Sequence, residues 1–173
     1  MQRGAVELGL LGGFWQGNNA FGNAPSANRS AIFALPQVGL VVTDPLSAGY
    51  LTGGVTLIIE PLLAHFYEPV NASAFGGSLV FKYSLLSFGR WIPFWDAGAG
   101  MLWTDLVPRI PEQSTRFNFV LETGPGVQYL LTERVAVTLG VRFHHISNAG
   151  TGERNIGLNA TLGYLGLSFF VPN

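Results

Sequence analysis

The stretch Val135-Ala136-Val137-Thr138-Leu139-Gly140-Val141-Arg142-Phe143-His144-His145-Ile146-Ser147-Asn148-Ala149-Gly150 decides how the chain is read. In an extended strand, side chains two apart share a face. One parity takes Val135, Val137, Leu139, Val141, Phe143, His145 and Ser147. The other takes Ala136, Thr138, Gly140, Arg142 and His144. A histidine and a serine thus stand side by side at the end of the apolar face. In a soluble protein that face is a core and a poor place for substrate. In a membrane barrel it meets lipid, and its end lies at the interface. Arg142 and His144 then point to the interior, where a buried charge needs a partner. Glu122 and Asp96 are the candidate partners of Arg142.

Composition supports the membrane alternative. Charged residues are 11% of the chain, where a soluble domain carries about 25%. Hydrophobic residues reach 48%, aromatics 13%, and there are 23 glycines in 173 residues, a length suited to one domain spanning 1–173. No run approaches the roughly 18 uninterrupted apolar residues of a membrane helix. Only helices and closed barrels satisfy their backbone groups in lipid, so a membrane protein of this kind is a barrel. The formal net charge of -1 offers no basic field for nucleic acid. There is no cysteine, which excludes both a disulfide framework and a thiol nucleophile.

Turn signals divide the chain into eight β-compatible segments, hence an eight-stranded antiparallel transmembrane β-barrel of the all-β class. They run near residues 5–16, 29–42, 50–67, 74–88, 91–104, 115–131, 135–147 and 157–170. An Asn- and Gly-rich loop, 17–28, follows the first. Pro61 removes a ladder donor, which predicts a bulge or a shortened third strand. Trp15, Trp91, Trp95 and Trp103 fall near strand ends, as barrel girdles require, or else in a core. Long loops are expected to alternate with short turns. The interior of so small a barrel is filled by side chains and is no wide pore. No secretory signal precedes the first strand in this chain; an exported protein needs one, and it is taken as removed or outside the sequence.

Several segments together resemble the lipid A 3-O-deacylase family, outer-membrane enzymes also called acyloxyacyl hydrolases. The strongest likeness is Arg142-Phe143-His144-His145-Ile146-Ser147-Asn148-Ala149-Gly150, continued by Arg154-Asn155-Ile156-Gly157-Leu158-Asn159. Glu7 to Phe14, Gly98 to Thr104, Thr115 to Phe119 and Gly163 to Phe170 support it. The resemblance implies an eight-stranded barrel in the outer membrane of a Gram-negative bacterium. It also implies a serine esterase that removes the 3-O-linked acyl chain of lipid A in lipopolysaccharide. By motif position, Ser147 is the nucleophile and His145 the general base. Asn148 and the backbone N–H of Gly150 are the oxyanion hole. The family pattern places a glutamate in the next strand to orient the histidine, and here that position is Asn159.

The residues can be weighed for the same chemistry. A serine hydroxyl needs an adjacent base, which His145 can supply. Asn159 shares a face with Thr161, Leu165 and Leu167 and falls almost opposite His145 if the hairpin centres near Gly152. An amide oxygen can orient an imidazole N–H, as in Cys-His-Asn proteases, but brings no negative charge. Glu153, in the loop between, is the nearest carboxylate and a weak substitute. Asn148, Ala149 and Gly150 can also be read simply as a turn. His144 and His145 point to opposite faces, and no calcium or phosphate-binding loop is present, so neither metal nor cofactor is expected. The expected partners are lipid A or lipopolysaccharide and membrane lipid, with no nucleic acid. His65 has no motif around it. The alternative function is a non-catalytic or weakly active barrel of the same fold with a structural or adhesive role. A soluble β-sandwich is a third possibility, opposed by the low charge.

Overall fold

In the computed structural model, which describes residues 2–20 and 28–173, eight antiparallel strands close into a barrel. They are β1 (Val6–Gly17), β2 (Ser30–Val41), β3 (Gly53–Glu68), β4 (Ala72–Leu85), β5 (Trp91–Thr104), β6 (Phe117–Leu130), β7 (Val135–Ser147) and β8 (Leu158–Val171). Each strand pairs with its sequence neighbour, and β1 pairs with β8 to close the cylinder, with Val6 opposite Val171 and Gly17 opposite Ala160. Closure leaves no edge strand unpaired, the condition for a sheet to exist in lipid. A 3-10 turn, Gly49–Leu51, precedes β3. Part of the loop expected at 17–28 lies outside the described residues.

The two-residue period sorts side chains as lipid requires. Leu10, Phe14, Ile59, Phe75, Leu79, Leu121, Leu139 and Leu165 are exposed on the outer wall, a continuous apolar surface far larger than a soluble monomer presents. Of the four tryptophans, Trp91, Trp95 and Trp103 are outside and exposed. Trp15 is not in a girdle: it is fully buried, edge-on to Phe66 with centroids 5.4 Å apart. Its strand parity, shared with Leu11, points it inward.

The lumen is solid. Towards the end bearing the termini it is polar: Lys82 Nζ lies 2.5 Å from both carboxylate oxygens of Glu7, and Gln128 donates to Glu7, Thr138 and Ser168. At mid-height Arg142 donates to Asp96, Glu60 and Glu122 at 2.7–3.1 Å. Both partners anticipated for it are present, with Glu60 as a third. Tyr164 donates to Asp96 and lies beneath the guanidinium. His144 is interior, as its parity requires: it accepts from Trp15 Nε1 at 3.2 Å and its Nε2 lies 3.3 Å from Glu122. Above it, Trp15, Phe33, Leu62, Phe66, Leu102 and Ile146 form a hydrophobic plug, extended by Leu106 and Ile110 from the β5–β6 loop.

Two expectations about connections are corrected. Pro61 causes neither bulge nor shortening. β3 is 16 residues long, and pairing with β2 lapses only between Ala34↔Leu63 and Val38↔Ile59, resuming in the same register. That register sets Pro61 opposite Pro36, so two donorless residues face each other and the ladder simply skips there. The register irregularity lies instead at Ser30/Ala31. Nor do loop lengths alternate strictly. β3 and β4 are joined at the upper rim by only residues 69–71, while the lower β2–β3 connection carries the 3-10 turn and a Leu46↔Gly53 bridge.

Candidate catalytic surface at the upper rim

His145 and Ser147 stand on the outer face of β7, half-buried, at the rim where β7 enters its loop to β8. Their strand is flanked by β6 and β8. Leu121 lies opposite His145 and Phe119 opposite Ser147 on the β6 side. On the β8 side, His145 is paired directly with Asn159. The non-local register, fixed by the loop length between the strands, is what turns a sequence separation of 14 into contact: His145 Nδ1 lies 2.6 Å from Asn159 Oδ1.

The network around Asn159 assigns its amide. Asn159 Nδ2 donates to the carbonyl of Ala20 at 2.7 Å. Only the amide nitrogen can donate to a carbonyl, so the oxygen is the atom that faces His145. The oxygen can only accept. In the neutral ring, His145 Nδ1 therefore carries the proton and Nε2 the lone pair, the arrangement a general base requires. Although its parity is outward, Asn159 is only 1% exposed, because the segment ending β1 covers it.

No hydrogen bond links Ser147 to His145. Residues two apart on a strand are about 6.7 Å apart along it, a gap that the imidazole can span by swinging Nε2 towards the hydroxyl. Such bonds often tighten only with substrate in place.

The turn after Ser147 is held firmly. Asn148 continues the inward parity of Arg142, His144 and Ile146 and is fully buried. Its backbone N–H donates to Asn155 Oδ1, its Nδ2 to the Arg154 carbonyl at 2.8 Å, and its Oδ1 accepts from the Gly150 N–H at 3.0 Å. Both donors assigned to an oxyanion hole are thus engaged within the turn. Ala149 and Gly150 have φ of 52° and 77°, the left-handed region that glycine adopts freely and alanine does not. The β5–β6 loop braces this turn: Ser114 Oγ donates to the Arg154 carbonyl and accepts from its N–H, Ile156 N–H donates to Glu112, and Gln113 bridges to Asn155 and donates to the Ile146 carbonyl. A buried ion pair between Arg29 and Glu112 anchors that loop to the start of β2. Glu153 is exposed, and the side chain that His145 Nδ1 meets is Asn159 instead. Among the described residues no group of acidic or histidine side chains could hold a metal ion.

Sequence reasoning missed Ala20, because a backbone carbonyl leaves no motif.

Comparison with known proteins follows the same lines. The chain is similar over nearly its whole length to the crystal structure of the outer membrane enzyme PagL, at 18% identity and a TM-score of 0.61, covering 96% of this chain and 99% of that one. It is similar to the N-terminal β-barrel domain of Pseudomonas aeruginosa OprF, at 15% identity and a TM-score of 0.64, covering 99% and 100%. Neisserial surface protein A matches at 16% identity and a TM-score of 0.58, covering 98% and 99%. At such identities these likenesses concern the fold. A search of curated protein sequences gives no match. The model of the lipid A 3-O-deacylase (PagL) family matches residues 35–168, most of the barrel and every candidate catalytic residue, and the chain belongs to that family.

Proposed function

We propose that this protein is an outer-membrane serine esterase that removes the 3-O-linked acyl chain of lipid A. The observation that carries the proposal is the 2.6 Å contact between His145 Nδ1 and Asn159 Oδ1 on a lipid-facing surface, with Ser147 two residues along the same face. Exposed Leu121, half-buried Phe119 and exposed Phe117 border it, a surface suited to acyl chains. Arg116 and Arg154 are exposed at the rim above, suited to an anionic headgroup.

In the proposed reaction His145 Nε2 takes the Ser147 hydroxyl proton as Oγ attacks the ester carbonyl carbon. The resulting imidazolium keeps its Nδ1–H on Asn159 Oδ1. Collapse of the tetrahedral intermediate breaks the bond to the sugar 3-oxygen, which receives the proton from Nε2. Water, deprotonated by the same nitrogen, then attacks the acyl-Ser147 ester; the bond to Oγ breaks, Oγ receives the proton from Nε2, and the fatty acid is released. Asn148 Nδ2 and the Gly150 N–H are the proposed oxyanion donors. To act, they exchange their bonds within the turn for bonds to the developing charge, and the inward-facing Asn148 side chain turns towards the outer face that bears Ser147. One such donor typically contributes on the order of 10²–10³ in turnover.

Mass spectrometry of lipid A from cells with and without the protein tests this. Loss of one 3-hydroxyacyl chain is expected, and Ser147→Ala or His145→Ala should each abolish it while leaving the barrel folded. An unaltered lipid A profile in the presence of folded wild-type protein refutes it. The uncharged Asn159 favours a second reading, a structural or adhesive barrel in the same membrane. Under that reading Asn159→Glu confers no deacylation.

A further inference from the structure

An asparagine in place of a carboxylate creates a problem that a carboxylate never has. A carboxylate offers the same acceptor after a half-turn, whereas an amide offers either an acceptor or two donors. Flipped, Asn159 would present Nδ2 to His145. The imidazole would then have to accept at Nδ1 and carry its proton on Nε2, the nitrogen needed as the base.

We infer that the end of β1 is a flip lock for this amide, and that Asn18 is its positioning residue. Asn18 is fixed to β8 at two points: its backbone N–H donates to the Asn159 carbonyl at 2.8 Å, and its Nδ2 donates to Thr161 Oγ1 at 3.2 Å. Its Oδ1 accepts from the Ala20 N–H at 3.0 Å. That bond anchors Ala20 by its N–H beside β8, and from there the Ala20 carbonyl, on the other side of its Cα, faces Asn159 Nδ2 at 2.7 Å. A chain of bonds thus runs from Thr161 through Asn18, Ala20 and Asn159 to His145 Nδ1. Each link has one sense only, because each carbonyl accepts and each amide N–H donates. The near-complete burial of Asn159 denies its amide the water that would otherwise satisfy either orientation.

The inference rests on the esterase reading for its purpose, but its first test does not depend on turnover. Nitrogen-15 spectra of histidine-labelled protein in detergent micelles distinguish Nδ1–H from Nε2–H imidazole, and His145→Ala assigns the signal. The spectra are taken at about pH 8.5, about two units above the ordinary histidine value. Wild type should show His145 as the Nδ1–H form. Asn18→Ala keeps the backbone bond to β8 but frees Ala20, and should move the balance towards Nε2–H by about fivefold, the bias of one hydrogen bond of ordinary strength. Asn18→Asp retains the acceptor for Ala20 and should restore the wild-type signal. An Asn18→Ala protein whose His145 tautomer is unchanged overturns the inference. So does one in which Asn18→Asp fails to rescue a folded barrel.

Turnover gives the second arm. Asn18→Ala should lower kcat for lipid A by about the same fivefold factor with KM little changed. In an Asn159→Asp background, where a carboxylate cannot be flipped wrongly, Asn18→Ala should have no comparable effect. Equal losses in both backgrounds overturn the lock. A tautomer shift in a protein with no deacylase activity supports the lock and sinks the esterase reading instead.

Discussion

On the proposed reaction, replacing Asn159 by aspartate should raise turnover and lower stability, and the structure gives both magnitudes. The two side chains have the same shape, so the 2.6 Å approach to His145 Nδ1 is preserved. In the ground state the imidazole is neutral and the new charge gains little from it. In the transition state the imidazole becomes cationic. Opposite charges about 4 Å apart at an effective dielectric of about 20 attract by about 4 kcal/mol, which sets an upper bound of about 10³ on the gain in kcat. The reverse change in a serine protease, aspartate to asparagine, costs about 10⁴. The partial exposure of His145 admits water and lowers the gain, so about 10- to 10³-fold is expected. Stability moves the other way. Aspartate cannot donate to the Ala20 carbonyl and buries a charge beside it, so the cost is at least that of a neutral polar group left unpaired, about 1–3 kcal/mol. The assay is the initial rate of 3-hydroxyacyl release from lipopolysaccharide in detergent, alongside urea unfolding followed by tryptophan fluorescence. A folded Asn159→Asp protein that is no faster than wild type refutes the reasoning: no imidazolium facing residue 159 then forms in the rate-limiting step.

Three further outcomes concern the frame. Arg142→Met should destabilise the barrel by about 3–5 kcal/mol in urea titrations, because it leaves Asp96, Glu60 and Glu122 without their common cation inside a closed lumen. Gly140→Val should cost about 1–3 kcal/mol by the same assay, since a Cβ there would lie 2.3 Å from the ring of Tyr164. Leu139→Arg, on the lipid face at mid-strand, should lower stability in lipid vesicles by about 2–4 kcal/mol while leaving the lumen network untouched.

Much of this architecture is written in the local pattern. Alternation from Val135 to Ser147 gives both the strand and the face on which His145 and Ser147 stand, because parity in a strand is a covalent property of the backbone. The same alternation places Arg142 and His144 inside, and low charge with no helix-length apolar run leaves closure into a cylinder as the way to live in lipid. Other features depend on which strand lies beside which. Pro61 looks disruptive until Pro36 is found opposite it. Trp15 looks like a girdle residue until β1 parity and Phe66 place it in the plug. The Asn159 register could be guessed from a loop length, but the direction of its amide could not. That direction comes from the Ala20 carbonyl, a backbone atom common to every residue, brought there from 139 positions away because β1 closes the barrel against β8. Sequence alone therefore determined the sheet, its lipid-facing side and the face on which His145 and Ser147, the pair proposed to react, stand together. The closed tertiary structure decided which nitrogen of His145 holds the proton, because hydrogen-bond direction is a property of partners, not of residue types.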